Sequence, residues 1–143
     1  MLAELCDRFD AVEECYEFLL AYAAQGLPSD QGSTAGGQVR EFLHCAVKAL
    51  TGLPEACATA IKEEGLEPVG KYLAFVEVLD CDSRDSLAAI ELVLAQPAIS
   101  SQLIDNLNAS IHLRALLTDL FLLGEILRKQ NKPAAEAVTS DRD

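Results

Sequence analysis

His112 and Asp119 are the two side chains of this sequence whose type and setting are least expected in an ordinary helix. Both belong to the run Ser-Ile-His-Leu-Arg-Ala-Leu-Leu-Thr-Asp-Leu-Phe-Leu-Leu-Gly-Glu-Ile-Leu-Arg-Lys at 110–129. On a helical wheel Arg114, Thr118, Glu125 and Arg128 make its polar strip, whereas His112 and Asp119 project from the other side among Ala115, Leu116, Leu123 and Ile126. A carboxylate among apolar groups must find a hydrogen-bonded or charged partner, or take up a proton and go neutral. Seven residues of helix place the two about 10 Å apart, too far to bond without an intermediary. Structurally they would fix helix register or a dimer interface. Functionally they would supply the polar contacts of a mostly apolar ligand cavity.

Glu41 and His44 have the Glu-x-x-His spacing of carboxylate-bridged metal bundles, which need two such pairs and further glutamates. Ala109 stands three before His112, so the second pair is missing. The wheel also sets Arg40, Glu41, His44 and Lys48 opposite the apolar arc of Val39, Phe42, Leu43, Ala46, Val47, Ala49 and Leu50, which turns His44 to water. No metal centre is predicted. An exposed histidine on a helix of a small acidic protein suggests another chemistry. The run 39–48 loosely resembles the histidine helix of phosphotransfer domains, a likeness that implies phosphoryl acceptance at His44. Those domains carry lysine and glycine at the third and fourth positions after the histidine. Here Lys48 falls at the fourth, with no glycine beside it.

Cys6, Cys15, Cys45, Cys57 and Cys81 are odd in number and contain no C-x-x-C pair, which excludes a zinc ribbon and a complete disulfide framework. Buried reduced thiols acting as small hydrophobes are expected. A cysteine nucleophile has no local support from either histidine. Asp80-Cys81-Asp82 lacks the glycine and terminal glutamate of a calcium loop, and no hydrolase, zincin, Walker or Rossmann pattern occurs.

Acidic residues concentrate at 1–26 (six acidic, one basic) and 62–85 (seven acidic, three basic). With a formal charge of −12, the composition argues against nucleic acid and against an anionic membrane surface. Any charged partner is expected to be basic. The N-terminus lacks a basic n-region, and the longest uncharged stretch of the last helix, 120–124, is far short of a membrane span. A cytoplasmic protein is expected.

The elements that must position these groups are helices. Gly26-Leu27-Pro28, Gly52-Leu53-Pro54 and Gly65-Leu66 with Pro68 are helix stops, too closely spaced to leave room for strands. The first helix is predicted over about 2–25, with an apolar stripe of Leu2, Leu5, Phe9, Val12, Tyr16, Leu19, Leu20 and Ala23. Phe18 and Tyr22 lie on its far face, so either a second layer of the chain or a partner must cover them. A flexible loop follows at 27–37, then helices at about 38–51, 54–64 and 67–80. Cys81-Asp82-Ser83-Arg84 reads as a polar break, with Asp82 or Ser83 capping a helix to Gln96. Ser100 or Ser101 caps the next helix to about Leu107, and Ser110 caps the last. The segment 131–143 reads as a disordered tail.

The expected architecture is therefore a single all-α domain over 1–130. It is a compact orthogonal or up-down bundle of five to seven helices, with the apolar C-terminal helix and the one at 85–96 central. That last helix must be wrapped by neighbours, or half-wrapped and closed by a second copy of the chain. The function predicted is that of a non-enzymatic, bacterial-type accessory or adaptor protein without a cofactor, itself a homodimer. It would bind another protein through helix faces such as Phe18–Tyr22, with acidic helices steering a basic partner. A ligand-binding bundle using His112 and Asp119 is the alternative, and phosphotransfer at His44 the third reading.

Overall fold

In the computed structural model, which describes residues 1–130, the chain is an all-α bundle of six helices: α1 Leu2–Ala24, α2 Thr34–Leu50, α3 Leu53–Glu63, α4 Val69–Leu94, α5 Ser101–Ala109 and α6 Ile111–Gln130. The predicted tail at 131–143 lies outside the described residues.

The glycine stops act as expected. Gly52, at φ +72°, reverses the chain between α2 and α3 in a conformation that costs glycine little, and Pro54 enters the first turn of α3, where its missing N–H is no loss. Ser33, Ser100 and Ser110 cap α2, α5 and α6 by accepting hydrogen bonds from the amides of Gly36, Leu103 and Leu113.

Packing is organised around α1, which lies against α2, α3, α5 and α6. Leu2, Leu5, Phe9, Val12, Cys15, Leu19 and Tyr22 are its buried residues together with Cys6, whereas Leu20, expected in this stripe, is exposed. The partner contacts run in opposite sequence order along α4 and α6. Ser86 donates to the His112 carbonyl at 2.9 Å, and Phe75 lies beside Leu122, so the two helices are antiparallel. They form one flank of the bundle. α6 buries Leu113, Leu116, Leu117, Asp119, Leu120, Leu123, Gly124 and Leu127 against α1, α4 and α5, and leaves its other side open. Within one chain its neighbours wrap it on one side only.

Two sequence expectations are corrected. The break at 81–84 does not exist: α4 continues for 26 residues from Val69 to Leu94. No glycine or proline lies between Lys71 and Gln96 to stop it. The Asp80–Arg84 ion pair spans the supposed break one helical turn apart, and Ser83 and Ser86 are buried rather than capping. The loop after α1 is also shorter and better fixed than a flexible 27–37. Asp30 bonds the Arg40 guanidinium at 2.7 Å and accepts from the Ile99 amide at 2.7 Å. Arg40, placed on the solvent arc by the wheel, donates further to the Leu94 and Gln96 carbonyls. The loop carbonyl of Asp30 lies so close to Gly36 that a Cβ there would sit 2.0 Å from it. Only glycine fits.

Candidate functional site

Of the residues singled out by sequence, Phe18 and Tyr22 are the first to lose their expected role as a docking surface. Tyr22 is fully buried, and its hydroxyl donates to the Ile99 carbonyl at 2.7 Å. Phe18 stacks on Phe42 of α2, with ring centroids 4.3 Å apart. The second layer that covers this end is the chain itself, through α2 and the segment before α5. Ser101 completes the closure by donating to the Tyr22 carbonyl and accepting from the Leu27 amide. Asn108 donates to the Leu19 carbonyl in the same buried zone. A polar residue late in the chain thus serves backbone groups of α1, a role no local pattern announces.

His44 is exposed on α2, as its wheel position requires. His112 is not buried. It sits in the first turn of α6, where the helix overhangs α4, its side chain is half exposed, and its Nδ1 lies 3.9 Å from the Asp85 carboxylate. His112 and Asp119 therefore do not line one polar cavity.

Asp119 is the residue that the sequence identified correctly as anomalous. It is only 7% exposed, and its Oδ2 has no hydrogen-bond partner among the described residues. What faces it is another carboxylate, Asp82 of α4. Burial, the hydrogen bond to Asp82 and the Asp82 charge together push the Asp119 carboxyl up to about 7. Two acceptor oxygens can bond only if a proton lies between them, so a bond between these two carboxyls requires the raised Asp119 to be protonated. Asp82 was legible only as a cap, because the continuity of α4 was not.

The seam runs along the floor of an open apolar face. Eight large hydrophobic side chains are exposed among the described residues, and five of them share this face: Val78 and Leu92 on α4, and Ile111, Leu122 and Ile126 on α6, whereas Phe121 lies on the α1 side of α6. At one end a groove of about 220 Å³ lies between Tyr72, Phe75, Leu122, Leu123 and Ile126, with Lys71 at its rim. At the other end stand Leu92 and Ile111, the most exposed of the five at 66% and 75%. Acidic Asp82 and Asp85 occupy the middle. No lysine or arginine is paired with Asp82, Asp85 or Asp119 among the described residues, whereas Asp10 and Asp80 have Arg128 and Arg84.

The cysteines divide. Cys6, Cys15 and Cys57 are buried, and burial pushes the Cys15 and Cys57 thiols up to about 12, which makes them poor nucleophiles. Cys45 and Cys81, expected inside, are exposed. Among the described residues no three His, Cys, Asp or Glu side chains gather to hold a metal ion, and no helix is long and apolar enough to cross a membrane. Compared with known protein families, curated proteins and solved structures, the chain gives no match.

Proposed function

We propose that this chain is a non-enzymatic accessory or adaptor protein that seats a basic amphipathic helix of another protein on the outer face of α4 and α6. The observation that carries the reading is the concentration of exposed large apolar side chains on this one flank, five of the eight among the described residues. Scattered exposed hydrophobes need no explanation, but a contiguous set of this kind is the usual mark of a docking surface. A helix laid along it would bury apolar side chains at both ends, at the Tyr72–Ile126 groove and at Leu92–Ile111. Asp82 and Asp85 in the middle call for lysine or arginine from the partner, and the net charge of −12 steers such a partner in.

A second copy of the chain is the competing occupant. Two copies carrying −12 each repel, and that favours a basic heterologous partner. The ligand-binding alternative draws little support from His112 and Asp119, which do not share a cavity. Phosphotransfer at His44 rests on exposure alone.

The test compares retention of proteins on immobilised wild type, on the Leu122→Asp/Ile126→Asp double variant, and on Leu20→Asp as a control for an exposed leucine away from this flank. The expected result is a partner held by wild type and by Leu20→Asp, lost from the double variant and released by added salt. Its contacting segment should be Lys/Arg-bearing and amphipathic. Undiminished retention on the double variant overturns the proposal. Sedimentation of wild type that gives a dimer, abolished by the double variant, assigns the face to a second copy and overturns it too.

A further inference from the structure

A carboxyl pair at the centre of an apolar docking face is an odd element of construction. Among the described residues, Asp119 is buried with a partnerless Oδ2, its one ionic neighbour is a second carboxylate, and no cation answers either. The surrounding helices bear out the isolation. On α4, Asp80 is engaged by Arg84 and Asp85 looks toward His112. On α1, Asp10 is engaged by Arg128, whose charge also acts on Glu13. On α5, Asp105 is exposed, and on α6 itself Arg114 is exposed and Glu125 pairs with Lys129. A fold that only needed to join α4 and α6 here would be served by two apolar side chains or by an ion pair. Two acids with one proton between them instead leave a position whose charge depends on what approaches from outside.

We infer that the Asp82–Asp119 pair is the recognition point for a lysine or arginine of the docked helix, and that docking is coupled to release of the proton the two carboxyls share. The inference rests on the reading of the α4–α6 face as a docking surface. In the free protein the proton is the counter-ion. When an ammonium or guanidinium reaches Asp82, the second negative charge is no longer opposed, and the proton leaves to solvent as the ion pair forms. No covalent bond between heavy atoms changes, and the charge balances: one cation bound, one proton released. Because proton and cation compete for the same pair, acid weakens docking. With the Asp119 carboxyl pushed up to about 7, affinity should rise about tenfold between about pH 6 and about pH 8.

The test uses a synthetic Leu/Lys amphipathic helix of about 18 residues as probe, with a Leu/Gln version as control. Titrations run on the full chain in a His112→Gln background, which removes the imidazole beside Asp85 on this face. Calorimetry in buffers of different ionisation heat should show about half a proton released per Leu/Lys peptide bound at about pH 7, approaching one at about pH 6. The affinity should show the tenfold pH dependence. Asp119→Asn should bind with no pH dependence over that range, because the shared proton is gone. Asp82→Asn should bind more weakly, without proton release. If Asp119→Asn retains the full pH dependence while Leu122→Asp/Ile126→Asp still abolishes binding, the coupling is wrong and the docking face stands. Equal binding by the double variant and its parent, or no binding by the parent, removes the face and the coupling with it.

Discussion

Replacing Asp119 by asparagine should make the protein more stable at neutral and alkaline pH, an unusual outcome for removing a buried carboxylate. The asparagine side chain has the same shape as the native one, and its amide can donate to Asp82 without needing a proton from solution. The size of the effect follows from the titration. In the unfolded chain the Asp119 carboxyl titrates near its ordinary 3.8, whereas in the folded protein it is pushed up to about 7. A raised carboxyl pKa means that the folded state holds the proton more tightly than the unfolded state. The stability it contributes is therefore complete below about pH 4, declines as pH rises through the interval, and is fully lost above about pH 7. At about 1.4 kcal/mol per unit the loss amounts to at most about 4 kcal/mol. The seam lies one side chain below solvent and Asp82 is only partly buried, so about half of that is expected, about 2 kcal/mol. The assay is chemical denaturation of wild type and Asp119→Asn at a series of pH values. The difference between the two curves cancels every other titrating group. It should grow by about 2 kcal/mol in favour of the variant between about pH 4 and pH 7 and stay level above. A difference that does not vary with pH, or a variant less stable than wild type at about pH 8, refutes the shared proton.

Three other outcomes probe the frame that holds this flank. Tyr22→Phe removes the hydroxyl that donates to the Ile99 carbonyl and should lower stability by about 1–2 kcal/mol in thermal melts, with the helical spectrum unchanged. Gly36→Ala drives a Cβ into the Asp30 carbonyl and should lower stability by about 2 kcal/mol or more, with loss of the loop's amide-exchange protection. A thiol reagent should label Cys45 and Cys81 readily in the native protein, and Cys6, Cys15 and Cys57 only after denaturation, as peptide mapping would show.

Local chemistry made the helices legible. The three glycine stops, the serine caps and the 3.6-residue periodicity act within a few residues of one another, so the chain written out in one dimension already contains them. The surplus apolar surface of the last helix and the awkward position of Asp119 were equally plain, because composition and wheel position are local properties. The identity of what meets each face was not. Tyr22 is closed by Ile99 and Ser101, nearly eighty residues later in the chain, and nothing near Tyr22 encodes that return. Polar residues at 81–84 have the composition of a break, yet a helix continues through polar residues when nothing stops it and its neighbours take them in. That continuity alone brings Asp82 opposite Asp119. Which side chains are ill-suited to water, or to its absence, is decided in one dimension, since that depends on their own chemistry. Which partner relieves them, or fails to, depends on how far-apart segments pack, and at the α4–α6 seam that packing left two acids facing each other beneath an uncovered apolar surface.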